Sequence, residues 1–156
     1  MMTVRFATEK DLPAVNRLRR EVNDLHVAGR PETFKPGFCP ALEEYIHTIM
    51  ADPALDLAVA EEDGEICGFA VVHEIHKPEN PYKLADEYLD IDEFGVAEAW
   101  RRRGVGTALI EFCKAVARER GFDRLELNMW EFNRGALAFY EAAGFTTYRR
   151  YMEIKL

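Results

Sequence analysis

The sequence predicts an α/β (α+β) fold: one mixed, mostly antiparallel sheet of six to seven strands, flanked by about four helices, in a single domain over residues 1–156. Three observations predict it. Apolar residues switch along the chain between three- and four-residue steps and simple alternation, the periods of helix and strand. The segments run strand, two helices, three strands, helix, strand, helix and one or two closing strands, an order that packs helices on a sheet. The length of 156 residues is that of one domain, able to bury about 70% of the surface its unfolded chain exposes.

Each element has its own signal. Thr3 to Phe6 reads as a short first strand. Thr8 stands three residues before Asp11, a loose capping box with an acid in the first turn. Leu12, Val15, Leu18, Val22 and Leu25 then follow at helical steps. The stretch Gly29 to Pro40 carries three prolines and two glycines and ends that helix. It is long enough for a functional loop and too short to divide domains. Leu42 to Met50 predicts a second, shorter helix. Leu57 to Ala60 and Ile66 to Ile75 are strands joined by Asp63-Gly64, a strong hairpin turn. Lys77 to Tyr82 is a loop, and Tyr88 to Val96 is a strand in which acids alternate with apolar residues. Gly104 to Arg120 is a helix with Val105, Leu109, Phe112, Cys113 and Val116 on its apolar side. Leu125 to Trp130 is a strand, Arg134 to Ala143 a helix closed by Gly144, and Thr146 to Leu156 supplies the final one or two strands.

Composition excludes several function classes. With 48% apolar and 31% charged residues the chain is ordinary globular material, not a disordered one. Its 20 Lys and Arg against 28 Asp and Glu give a net charge of −8. That disfavours nucleic acid and anionic membranes and suits cationic or amine partners. Cys39, Cys67 and Cys113 are odd in number and far apart, so neither a disulfide framework nor a metal site is expected. The N-terminus lacks a signal-peptide layout and no apolar run is long enough to span a bilayer, so a cytoplasmic location is expected. There is no serine, which removes serine hydrolase chemistry outright.

The sharpest local feature is Arg101-Arg102-Arg103-Gly104-Val105-Gly106-Thr107, between a strong strand and a strong helix. Two glycines allow a tight turn and close approach of a ligand. The helix N-terminus offers unpaired N–H groups and a partial positive charge. Three arginines raise the local potential. Together these describe a pyrophosphate cradle; the plain alternative is a glycine-capped turn with solvated arginines. A Walker A loop is absent, and the dinucleotide fingerprint fails because Leu109 stands where its third glycine would be.

These residues resemble the GNAT N-acetyltransferase superfamily. Its acetyl-CoA loop, [Q/R]-x-x-G-x-[G/A], is matched by Arg101, Gly104 and Gly106. Its preceding strand is matched by Leu89 to Val96. Its downstream N-x-x-A-x-x-F/L-Y-x-x-x-G-F is matched by Asn133, Ala136, Phe139, Tyr140, Gly144 and Phe145. Two motifs in order at family spacing, over nearly the whole chain, make the resemblance specific. It implies a GNAT-like fold and transfer of acetyl from acetyl-CoA to a primary amine, directly within a ternary complex and without a metal.

The resemblance also implies roles. The backbone from Arg102 to Thr107, with Arg101, Arg103, Gly104, Val105 and Gly106, would hold the CoA pyrophosphate. Phe94 and Val96 would offer backbone groups to the pantetheine arm where the strand bulges, with Gly95 at the expected bulge. Asn133 would contact the cofactor or cap the following helix. Tyr140 would be the general acid toward the CoA thiolate, its alternative being a packed core tyrosine. The proton acceptor is sought among Asp90 and Asp92, with solvated acids as the alternative. Strand alternation puts those two on one face and Glu93 on the other.

The acceptor side is expected near the first two helices, with Glu21, His26, Phe34 and Glu93 as candidate substrate contacts. Cys39 reads as a packed thiol. His73 and His76, three apart on a strand, face opposite sides. The favoured acceptor is a small cationic amine. A protein or peptide amine, or a non-catalytic acyl-CoA-binding module, are the competing readings. No nucleic-acid or membrane partner is expected; homodimerisation is implied by the resemblance alone.

Overall fold

The computed structural model describes residues 1–156. Its elements are β1 (Thr3–Phe6), α1 (Leu12–Gly29), α2 (Pro40–Ala51), β2 (Leu55–Glu62), β3 (Glu65–Lys77), β4 (Asp86–Val96), α3 (Val105–Glu119), β5 (Leu125–Leu127) and α4 (Arg134–Ala142). One sheet carries the strands in the order β1-β2-β3-β4-β5. The first three pairings are antiparallel and β4–β5 is parallel.

Local chemistry explains the joints. The Thr8 N–H and hydroxyl both donate to the Asp11 carboxylate, at 2.7 and 3.2 Å. Arg5 donates to both oxygens of the same group, at 2.8 and 3.0 Å. A single turn of 3-10 helix at Glu9–Asp11 then leads into α1. Asp63 and Gly64 both have positive φ, +50° and +78°, as a two-residue hairpin turn requires.

The sheet divides two apolar clusters. Leu89, Ile91, Ala70 and Val72 pack with Leu109, Ile110 and Cys113 of α3. Leu57, Val59, Phe69 and Val71 pack on the other face with Val15 and Leu18 of α1 and Ile46 and Ile49 of α2. Gly68 permits the close approach of α3: a Cβ there would lie 2.8 Å from Val105 Cγ1.

Three expectations need correction. The bulge in β4 is not at Gly95. Val71 pairs with Glu93 and Val72 with Ile91, so Asp92 is the extra residue. One extra residue reverses the parity of everything after it. Leu89 and Ile91 before the bulge, and Phe94 and Val96 after it, therefore all pack toward α3. Asp90 and Glu93 share the α1 face, where alternation had paired Asp90 with Asp92. Gly95 serves packing instead: its Cβ would lie 2.7 Å from the Phe69 ring and 2.9 Å from Val22 of α1.

The second correction concerns the strand count. The sheet has five strands, because β5 stops at Leu127 and residues 146–156 form no strand. That last segment alternates like a strand, but an alternating segment forms a strand only if a neighbour supplies a ladder. None of its backbone groups makes a backbone hydrogen bond outside the regular elements. It is held by side chains: Tyr148 to Glu126, Arg30 to Glu153, and Lys155 to Glu32. Third, Cys39 is exposed at the start of α2, not packed.

Candidate functional site

The β4–β5 ladder spans only three residue pairs, ending at Ile91–Leu127. β4 continues to Val96 with its other edge on β3. From Asp92 to Val96 its β5-facing edge therefore has no strand beside it, and residues 128–130 run away from it outside any strand. The result is a sheet edge without strand pairing on one wall, where Phe94 and Val96 lie. An extended amide-bearing chain fits such an edge as a substitute strand.

The opening leads to the N-terminus of α3. Gly104 is its cap residue, at φ +83°, with no side-chain cap and no acid in the first turn. The first bond runs from Ala108 N–H to the Gly104 carbonyl at 3.0 Å. That leaves the N–H groups of Val105, Gly106 and Thr107 without intrahelical partners. Arg102 is also left-handed, at φ +62°, so two of the three residues before the helix lie in a region L side chains rarely take. Arg101, Arg102 and Arg103 are exposed. None belongs to the ion pairs of the chain. Arg103 lies over Trp100, 5.2 Å from its centroid. Three uncompensated guanidinium groups beside free helix N–H groups suit a polyanion.

α4 closes this side. Asn133 Oδ1 accepts from Ala136 N–H at 3.2 Å, so it caps the helix while its amide NH₂ stays free. Gly106 lets α4 approach: a Cβ would meet the Phe139 ring at 2.8 Å. Phe94, Phe139, Tyr140 and Phe145 form a cluster of rings with centroids 5.3–6.0 Å apart, in which Tyr140 meets the other three edge-on. Burial in this cluster, with a smaller effect from Cys113, pushes the Tyr140 phenol up to about 12. Its hydroxyl has no partner in the protein.

The opposite face carries the acids. Asp90 is half-buried and makes no hydrogen bond. Burial first, then Asp92 and Glu126, raise it to about 6, while His73 and Lys77 oppose the rise. Asp92 is exposed at the bulge. Glu93 accepts from Arg19 Nε at 2.9 Å and is committed to that pair. Tyr140 lies beside Phe94 on the α3–α4 side, whereas Asp90 lies on the α1 side within the paired ladder, one residue before its end at Ile91.

Among the other sequence candidates, Glu21 is an exposed residue of α1, with no partner that ties it to the opening. His26 and Phe34 stack at 5.1 Å, and Phe34 meets Trp130 edge-on at 5.2 Å. Burial lowers the His26 pKa. Sequence reasoning missed two members of this cluster, Phe132 and Gly29. A Cβ at Gly29 would fall 2.2 Å from the Phe132 ring, so the end of α1 packs directly on the β5–α4 loop. It also missed Glu126, which faces Asp90 across the β4–β5 ladder. Its signal was its place on the strand beside the acids. No group of three or more His, Cys, Asp or Glu converges for a metal, and no helix is long and apolar enough to cross a membrane.

The family model described as Acetyltransferase (GNAT) family matches residues 19–145. The chain is similar to an uncharacterized N-acetyltransferase from the pepI 3′ region of Lactobacillus delbrueckii subsp. lactis, at 25% identity over 93% of this chain and 84% of that protein. It is similar to the 5-NmdU N-acetyltransferase of Pseudomonas phage PaMx11, at 38% identity over 56% of this chain and 55% of that one, so it spans about half that relative's length. Its fold matches that of AAC(6′)-Iy in complex with the bisubstrate analogue CoA-S-monomethyl-acetylneamine, with a TM-score of 0.79 and 19% identity over 100% and 98% of the two chains.

Proposed function

The chain belongs to the GNAT acetyltransferase family, and we propose that it moves an acetyl group from acetyl-CoA to the primary amine of a small cationic molecule. The observation that carries this reading is the unpaired edge of β4 beyond Ile91, leading to the uncapped N-terminus of α3. The residues present fit acetyl-CoA: the backbone of 102–107 and Arg101 to Arg103 would hold its phosphates, Phe94 and Val96 its amide arm, and Asn133 a further polar group. Acetyl-CoA supplies the activated acetyl group; the side chains manage protons.

An acceptor ammonium must lose one proton before attack and a second as the C–N bond forms. Asp90 takes a proton directly or through one water, and its unpartnered carboxylate in an acidic setting first attracts the cation. The C–S bond breaks and the electron pair leaves on sulfur. Tyr140 meets that charge. A phenol near 12 holds its proton against a thiolate of pKa about 8.5, so Tyr140 acts mainly as a hydrogen-bond donor to the leaving sulfur, and solvent supplies the proton.

A neighbour bound to a CoA–acetylneamine analogue and a relative named for N-acetylating 5-NmdU support an amine acceptor. The exposed apolar side chains of Tyr148, Tyr151, Met152, Ile154 and Leu156, beside the free outer edge of β5, support a homodimer. Light scattering across a concentration series tests that assembly, and a monomer throughout overturns it.

Titration calorimetry with acetyl-CoA, with ATP and NAD as controls, tests the cofactor reading. Micromolar binding, weakened by Gly104→Glu or Gly106→Glu, is expected. A folded protein that ignores acetyl-CoA overturns it. A thiol-release assay over an amine panel then identifies the acceptor, and tight binding without turnover of any amine favours the non-catalytic module.

A further inference from the structure

Three adjacent strands carry polar residues at one level. His73 of β3 pairs with Asp90 of β4, and Asp90 pairs with Glu126 of β5. Directly opposed residues in a sheet share a face, with strands about 4.8 Å apart. The row therefore reads His73, Asp90, Glu126 across the face that also carries α1. Asp90, at its centre, is the carboxylate of the row without a hydrogen bond. Glu126 is the most constrained. Its Oε2 accepts from Arg124 Nε at 2.6 Å and its Oε1 from the Tyr148 hydroxyl at 2.5 Å. Arg124 is itself fixed, donating to Asp86 at 2.6 Å and lying 4.7 Å from the Tyr88 centroid. Lys77 holds the Tyr88 hydroxyl at 2.9 Å.

Glu126 is therefore a carboxylate whose charge is anchored at a fixed place beside Asp90. Each of its oxygens already accepts one donor, and its charge acts on Asp90 through its field. A negative charge one strand away favours the protonated form of Asp90 and strengthens the attraction of the spot for a cation. The guanidinium of Arg124 partly cancels that field. Tyr148 belongs to the C-terminal segment, whose further anchors run to Arg30 and Glu32 at the end of α1.

We propose that Glu126, pinned by Arg124 and Tyr148, is a positioning residue that sets the pH range over which Asp90 accepts a proton, and that the C-terminal segment acts on acetyl transfer through it. The inference rests on Asp90 being the proton acceptor. The charged groups around Asp90 are His73 and Lys77 from β3, Asp92 from its own strand and Glu126 from β5, with Arg124 just before β5 and the neutral donor Tyr148 acting on Glu126.

The test reads Asp90 and the reaction separately. The Asp90 side-chain carboxyl carbon is titrated by NMR in the full chain for the natural protein and for Glu126→Gln, Arg124→Gln and Tyr148→Phe. The pH profile of kcat/KM is measured with acetyl-CoA and the best amine of the panel. Removing the Glu126 charge lowers the Asp90 midpoint and the acidic limb together by about half a pH unit or more. Removing Arg124 moves both the other way. Tyr148→Phe, a change at an exposed side chain, removes one donor from Glu126, leaves its negative charge less screened and raises both, and it serves where the Glu126 or Arg124 variant fails to fold. Midpoints unmoved in the folded variants overturn the inference. If the midpoint moves while Asp90→Asn keeps its rate, the reading of Asp90 as acceptor is what fails. If Asp90→Asn is inactive but the midpoints hold, only the role of Glu126 fails.

Discussion

The Arg19 guanidinium, 5% exposed within α1, donates to the Glu93 carboxylate at 2.9 Å, directly after the bulged residue of β4. It also donates to the Leu42 carbonyl at 2.7 Å and Asn16 Oδ1 at 3.0 Å, and lies 5.4 Å from the Phe38 centroid. One side chain thus ties the bulge, α1 and the start of α2 together. Arg19→Ala leaves Glu93 partly buried and unpaired, and is expected to cost about 2–3 kcal/mol, below a fully buried pair because Glu93 keeps some solvent. Urea denaturation of the two proteins checks it. A loss under about 0.5 kcal/mol, the size of a surface pair, would show that the bulge does not depend on this contact.

Asp90 gives a stability change opposite in sign to its functional effect. Its folded pKa of about 6 lies above the usual carboxylate range. Ionising it therefore costs stability, a cost absent below about pH 4 and fully present above about pH 6. Asp90→Asn is expected to gain about 1 kcal/mol at pH 7.5, discounted for its partial exposure, and nothing at pH 3.5. The same variant should lose at least ~100-fold in kcat/KM at pH 7.5. Melting curves at the two pH values, beside the thiol-release assay, separate the effects. Equal stabilisation at both pH values would mean that burial does not strain the carboxylate.

Tyr140→Phe removes a hydroxyl that has no partner in the protein. Stability should hold within about 0.5 kcal/mol, because no hydrogen bond within the protein is lost. The rate constant kcat should fall by about 10²-fold while acetyl-CoA affinity is retained. Calorimetry and steady-state rates give both numbers. An unchanged kcat would reduce Tyr140 to a packing residue of the Phe94–Phe139–Phe145 cluster.

Asp11 governs the acid limit of the fold. Arg5 first, with help from Thr8, holds its carboxyl at about 2, well below the usual carboxylate range. The stabilisation is present above about pH 4 and disappears as the pH falls toward 2, and amounts to roughly 2 kcal/mol. Asp11→Asn should lower the melting temperature at pH 7 and flatten its fall between pH 4 and pH 2. A variant that melts with the same acid slope as the natural protein would reject the assignment.

Much of this molecule follows from neighbours in sequence. Leu12, Val15 and Leu18 mark the buried stripe of α1, Asp63-Gly64 is the hairpin turn, and Gly104 stands at the start of α3 with a left-handed backbone. These are short-range effects: side-chain period, turn sterics and helix ends each depend on a few consecutive residues. The glycine turn before α3, with the free N–H groups of the helix start, was legible for the same reason.

What the tertiary structure decided is the direction and pairing of side chains whose partners are far away. Asp92 bulges because the β3 register and the two apolar faces must both be satisfied, with Val22 of α1 packed at Gly95. That one extra residue turns Glu93 to Arg19 and leaves Asp90 as the unpartnered acid of the α1 face. Residues 146–156 alternate like a strand yet lack one, because a ladder needs a second backbone at hydrogen-bonding distance and β5 ends after three residues. Composition and period are properties of a segment; register and partnership belong to pairs of segments. No local pattern encodes them, because burial and hydrogen bonding across the sheet set the energy that selects them.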